Sequence, residues 1–123
     1  MGLTKYFFDS YALIELFKGN ANYAPYIQEE VTITIFNLAE IYYAILNGFS
    51  ESVADIIYSK CKKSVVEIGE DVLKAAMKFR KENKKKDLSC TDCVGYIYAL
   101  ENNLVFLTGD KEFENMKNVE FVR

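Results

Sequence analysis

The chain has 123 residues, half of them apolar and 27% charged, with a formal net charge of −3. That length suits one domain over residues 1–123, with a core large enough to need no disulfide or metal staple, and the composition excludes a disordered chain. No apolar run approaches the roughly 20 residues of a bilayer span, and "MGLTKYFFDSY" lacks the sections of a secretory signal, so a soluble cytoplasmic protein without a membrane partner is expected.

Lys5–Phe8 reads as a short strand, followed by a helix from about Tyr11 to Lys18 that Gly19 and Asn20 close. A short helix is expected over Asn22–Glu29, with the only proline, Pro25, in its first turn. The β-branched "VTITI" (Val31–Ile35) predicts a strand. "NLAEIYYAILNG" then places Leu38, Ile41, Ala44 and Ile45 at helical spacing. Ser50 or Ser52 opens another helix through about Cys61, and "SVVEI" (Ser64–Ile68) is the next expected strand. A longer helix follows, with Val72, Leu73, Ala76 and Phe79 or Arg80 on its stripe. "SCTDCVGYIYALEN" reads as helical despite Gly95, "LVFLT" (Leu104–Thr108) as a strand, "GDKEFENM" as a turn with a short helix, and "VEFV" (Val119–Val122) as a final strand.

Strands alternating with helices predict an α/β three-layer sandwich: a mostly parallel central sheet of about five strands with helices on both faces. Such folds bind ligands outside the carboxyl ends of their strands, where helix N-termini also gather.

Cys61, Cys90 and Cys93 are an odd number without a framework, in keeping with a reducing compartment. The pair Cys90-x-x-Cys93 lacks the second ligand pair of a structural zinc site, and the chain has no His. It reads as small, partly buried side chains on a helix, with little support for a redox pair. The net charge gives no global pull toward nucleic acid, although "RKENKKK" (Arg80–Lys86) gathers five positive charges against one Glu. The plainer account of that run is the solvated end of a helix, where cations suit the dipole; facing a site, it would help hold phosphates.

Four acids stand where a strand ends or a helix begins: Asp9, Glu40, Asp92 and Asp110. Each has a capping explanation. Asp9 suits an N-cap, Asn37-x-x-Glu40 and Ser89-x-x-Asp92 match the capping-box spacing, and Asp110 suits the cap of the short helix after it. Collected on one edge of a parallel sheet, however, they repel. Two carboxylates about 4 Å apart cost roughly 4 kcal/mol at an effective dielectric of about 20, so either pKa values rise or a cation intervenes. With oxygen ligands only, Mg²⁺ or Mn²⁺ fits, and metal-assisted hydrolysis of a phosphodiester is the chemistry implied.

"FFDSYALIELF", "ITIFNLAEIYYAI" and "TDCVGYIYALENNLVFLTGDKEF" resemble, in order and spacing, the PIN-domain nucleases, and in particular the VapC-type toxins of toxin–antitoxin pairs. The resemblance spans the chain, and "LAEI" and "LVFLTGDKEF" are its more specific parts. It implies that Asp9, Glu40, Asp92 and Asp110 hold one or two Mg²⁺ or Mn²⁺ ions and activate water for endonucleolytic cleavage of RNA. It also gives Ser10 and Thr108 supporting roles, Thr108 orienting Asp110 or a water. Glu112 stands where many relatives carry a further acid and is either a water-mediated ligand or exposed. "TDC" departs from the usual context of the third acid, and Gly95 interrupts that helix. The resemblance further implies a homodimer and an antitoxin lying in a groove of the early helices, with Tyr23, Tyr26, Tyr42 and Tyr43 as candidate lining residues; the plainer account of these tyrosines is core packing, and helical spacing turns one of Tyr42 and Tyr43 inward.

Two other classes are weaker. A receiver-like signalling domain needs an Asp at the end of its middle strand, and a DxD phosphatase needs a second acid two residues after Asp9, where Tyr11 stands. A PIN fold that binds RNA or protein without cutting is the more serious alternative.

Overall fold

The computed structural model describes residues 3–123; Met1 and Gly2, at the start of the N-terminal stretch considered above, lie outside the described residues. Strand β1 (Tyr6–Phe8) leads directly into helix α1 (Ser10–Phe17). Helices α2 (Ile35–Gly48), α3 (Glu51–Cys61), α4 (Glu70–Glu82) and α5 (Cys90–Glu101) follow, then strands β2 (Val105–Thr108) and β3 (Val119–Phe121). The strands form a parallel sheet in the order β1-β2-β3, with Phe7 beside Phe106 and Phe8 beside Leu107.

Alternation along β1 and β2 sends successive side chains to opposite faces. Phe8 and Leu107 join a core with Ala12, Leu13, Leu38, Ile41 and Ile45, on the side of α1, α2 and α3. Phe7 and Phe106 join Ala76, Val94, Tyr96 and Ala99, on the side of α4 and α5. Two cores on one sheet make the three layers that the sequence predicts.

The sheet is narrower than expected. Of the strands read over Val31–Ile35 and Ser64–Ile68, only a parallel bridge between Ile33 and Val65 remains. The Phe8 N–H donates to the Thr32 carbonyl at 3.0 Å, so these segments continue the sheet beyond β1. They are cut short from both sides. Thr34 is the N-cap of α2, which turns Ile35 into a helix, and a 3₁₀ turn at Lys62–Ser64 occupies the approach to Val65. The expected helix over Asn22–Glu29 is instead a 3₁₀ helix at Ala21–Tyr26, with Asn20 as its cap and Pro25, which cannot donate an N–H, inside it. Gly19 adopts φ +79° just past α1, in accord with the stop signal read there.

Gly95 does not interrupt α5, which runs unbroken from Cys90 to Glu101. A Cβ on Gly95 would lie 2.7 Å from the Phe7 ring and 3.3 Å from the Phe106 ring, so hydrogen alone lets the helix settle onto the sheet. Gly95→Ala gains about 1 kcal/mol of helix propensity, yet overpacking is expected to lower the unfolding free energy by about 1–3 kcal/mol. Urea denaturation checks this, and equal or higher stability would show the helix–sheet contact to be loose.

Candidate active site

The carboxyl ends of β1 and β2 deliver Asp9 and Thr108 side by side. Asp9 occupies the N-cap position of α1, and its carbonyl accepts from the Leu13 N–H at 3.1 Å, but its side chain makes no capping hydrogen bond. Its Oδ2 accepts instead from the Thr108 hydroxyl at 2.6 Å. Thr108 Oγ1 in turn accepts from the Asp110 N–H at 3.0 Å, so one buried hydroxyl holds both acids of the rim that lie nearest to it. The capping account of the Asp9 side chain is therefore set aside: the position is that of a cap, and the carboxylate turns to Thr108 instead.

Asp9 is 3% exposed. Burial pushes its carboxyl up to about 7; the Thr108 hydroxyl opposes that rise, and the charges of Asp92 and Asp110 add to it. Asp92 is also raised, first by burial and further by Asp110 and Glu40, against the hydrogen bonds from Ser89 that lower it. The four acids thus share one electrostatic neighbourhood.

Glu40 is held differently from the expectation. The capping box of α2 is Thr34-x-x-Asn37, in which Asn37 Oδ1 accepts from the Thr34 N–H at 2.9 Å, so Asn37 is the third helical residue and not the cap. Glu40, one turn further on, is free of any capping duty. Its Oε1 accepts from the Ser10 hydroxyl at 2.7 Å, and that hydroxyl accepts from Asn37 Nδ2 at 2.9 Å. Asn37 is buried and links α1, α2 and Glu40; the sequence singled it out only as a cap, and the Thr-x-x-Asn spacing was the signal for the part it does play.

Ser89 and Asp92 form the expected capping box, with Asp92 Oδ2 accepting from the Ser89 N–H at 2.8 Å. Asp110 caps the 3₁₀ turn Lys111–Phe113, its Oδ1 accepting from the Glu112 N–H at 3.0 Å. Glu112 is half-buried, not exposed, and its carboxylate accepts from the Asp87 N–H at 3.3 Å.

A common pattern emerges. One oxygen of each acid is fixed by a local donor: Oδ2 of Asp9, Oε1 of Glu40, Oδ2 of Asp92 and Oδ1 of Asp110. Among the described residues no wholly buried side-chain oxygen lacks a partner, so any oxygen of Asp9 left over reaches the surface. The one ion pair among the described residues joins Lys18 and Glu15 at 3.4 Å, far from this chemistry in kind, so no cationic side chain neutralises the rim acids. Among these residues no three His, Cys, Asp or Glu side chains converge closely enough to hold a metal ion as they stand. The donor set still fits a hard divalent cation: carboxylate oxygens, mutually repelling, with a buried member whose charged form is disfavoured. Cys93 is wholly buried, burial and the neighbouring Asp92 push its thiol up to about 11, and all three cysteines are free.

A family model for the PIN domain matches residues 6–119, from the first strand to the last. The chain belongs to the PIN-domain family. Among solved structures, its fold is similar to that of VapC20 from Mycobacterium tuberculosis, described as a Sarcin-Ricin loop cleaving toxin, with a TM-score of 0.78 and 14% identity over 97% of this chain and 100% of that one. A toxin–antitoxin complex from Klebsiella pneumoniae gives a TM-score of 0.73 and 20% identity over 94% and 96% of the two chains. Comparison with curated protein sequences gives no match. At these identities the likeness is one of fold alone.

The raised carboxyl of Asp9 makes a thermodynamic prediction. A folded-state pKa above the unfolded one gives stability that is complete below about pH 4 and is lost as pH rises through about 7. In metal-free buffer Asp9→Asn should therefore gain on the wild type between about pH 5 and pH 8, by about 2–4 kcal/mol. Urea unfolding of both proteins at the two pH values checks this; a difference that is flat with pH would mean that Asp9 titrates normally.

Proposed function

We propose that this PIN domain is a divalent-metal-dependent endoribonuclease of the VapC toxin type. The observation that carries the reading is the set of four acids, each with one oxygen tied to a local donor, around an Asp9 that is buried and unpaired with any cation. Structural caps alone would not need Asp9 buried beside like charges, because an N-cap works at the surface.

Asp9, Glu40, Asp92 and Asp110 would hold the ion or ions, Mg²⁺ or Mn²⁺. A cation bound there would polarise the phosphodiester and make a water acidic enough to attack phosphorus. The chain's own groups do the rest. Thr108 sets the rotation of Asp9 and the position of the Asp110 backbone together. Ser10, itself fixed by Asn37, sets Glu40. Ser89 sets Asp92. Glu112, directed at residues 86–87, supports the turn that carries Asp110 and takes no direct part in holding metal.

The same reading includes an antitoxin and a homodimer, and it places the protein in the cytoplasm with its RNA substrate. The toxin–antitoxin complex among the structural neighbours supports the antitoxin. Of the tyrosines read as surface-lining, Tyr23 is instead core, its hydroxyl donating to the Val122 carbonyl at 2.5 Å, and Tyr26 pairs with Glu120. Tyr42 is half-buried against Tyr58 and donates to Asp55, which leaves Tyr43, 67% exposed, with Phe49 and Ile56 as the apolar surface of the α2–α3 hairpin.

Incubation of the pure protein with single-stranded RNA and Mn²⁺ or Mg²⁺ should give cleavage that EDTA abolishes. Asp9→Asn should slow it by more than about 100-fold, beyond the loss caused by removing even a supporting group around a metal. Cleavage indifferent to EDTA and to the substitution would overturn the mechanism, and RNA binding without cleavage would favour the silent PIN module.

A further inference from the structure

The basic run Arg80–Lys86 has only partly the role of a helix end. Arg80 and Lys81 lie in the last turn of α4, where they complement its dipole. Lys84, Lys85 and Lys86 lie beyond the helix, in an exposed turn that leads to Ser89. That turn is docked on the acid-bearing loop after β2. Lys86 Nζ donates to the Glu112 carbonyl at 3.2 Å, and the Asp87 N–H donates to the Glu112 carboxylate at 3.3 Å.

Arg123 approaches the same loop after the last strand. Its Nη1 donates to the Gly109 carbonyl at 2.7 Å, and its guanidinium lies 5.9 Å from the centre of the Tyr11 ring, two residues beyond Asp9. Two cations thus sit on carbonyls of Gly109 and Glu112, with Asp110 between them in the chain. Neither is in an ion pair among the described residues. Gly109 is packed where no side chain fits, because a Cβ there would run into the Tyr11 ring and the Val122 carbonyl.

A net charge of −3 gives the chain no overall attraction for a polyanion, so the phosphates of a bound strand need local cations beside the acidic rim. Lys86 and Arg123 supply them on the Asp110 loop. We propose that Lys84, Lys85 and Lys86, together with Arg123, form the track that holds the phosphates of single-stranded RNA on both sides of the scissile bond. Lys86 and Arg123 are positioning residues seated on the loop, while Lys84 and Lys85 extend the track along the exposed turn. Arg123, planar and bidentate in capacity, keeps donors for a phosphate beyond the one given to Gly109. This inference rests on the ribonuclease reading and adds to it the path of the substrate.

The test uses a labelled single-stranded oligoribonucleotide of mixed sequence. Anisotropy in EDTA, at a series of salt concentrations, measures binding without cleavage. The wild type is compared with Lys84→Gln/Lys85→Gln/Lys86→Gln, with Arg123→Gln, and with a control, Lys60→Gln/Lys62→Gln/Lys63→Gln. The control lysines are exposed and precede Val65, which puts them toward the edge of the sheet opposite the acids. Each lost phosphate contact should reduce the slope of log affinity against log salt by about 0.7, so the Lys84–Lys86 variant should lose about 2 and Arg123→Gln about 0.7. In cleavage assays with Mn²⁺ both variants should raise KM, the mark of lost binding, with any fall in kcat smaller than the rise in KM. If the wild type cuts RNA but the Lys84–Lys86 variant and the control behave alike, the track is wrong and the nuclease stands. If the wild type neither binds nor cuts RNA, both readings fall.

Discussion

The pairing of β1 with β2 is the constraint on which the rest of this structure depends. It sets Phe7 against Phe106 and Phe8 against Leu107, so each strand supplies one aromatic or aliphatic wall to each of the two cores. The next residues along the two strands are Asp9 and Thr108, and their hydrogen bond of 2.6 Å is a continuation of the ladder by side chains. A shift in this register by one residue would exchange the two faces and separate the acid from its hydroxyl. Core and site therefore share a single register. That sharing explains how a carboxylate can be kept buried where water would otherwise be the cheaper neighbour.

The local signals in the sequence were reliable where a short-range hydrogen bond decides the outcome. The Ser89-x-x-Asp92 box, the stop at Gly19 and the cap at Asp110 all form as their spacing indicates. They fail where a second local motif competes or where distant residues intervene. "VTITI" has β-branched side chains suited to a strand, but Thr34 is also a good N-cap with Asn37 three residues on, and the cap wins after Ile33. Asp9 has the position of a cap, yet its partner is Thr108, whose approach no local pattern encodes. Gly95 looks like a flaw in a helix until the Phe7 and Phe106 rings are seen beneath it. The order of elements and the four acids were legible; the duties of Ser10, Asn37 and Glu112 were not, because each depends on which loops meet.

The acidic rim is built to a rule of half-measures. Each carboxylate gives one oxygen to a neighbour that fixes its direction, and the donors are drawn from different elements: β2 for Asp9, α1 for Glu40, the start of α5 for Asp92 and the loop before β3 for Asp110. Directing the acids through the fold leaves their charges uncompensated, and the raised carboxyls of Asp9 and Asp92 record the cost. The result is negative charge concentrated on one rim of the PIN domain. The basic turn beyond α4 brings opposite charge to the loop that carries Asp110, with Lys86 seated on the Glu112 carbonyl.

The β1–β2 ladder also has a consequence for biosynthesis. Its partners are 99 positions apart in the case of Asp9 and Thr108, and a contact of that range forms late and slowly. During translation, at about 5–20 residues per second, the segment carrying Asp9, Glu40 and Asp92 emerges before the strand that completes Asp9's surroundings. Until then Asp9 is an ordinary exposed aspartate, and the chain carries acids without the geometry that gathers them. A growing polypeptide of this design lacks its finished acidic rim through most of its own synthesis.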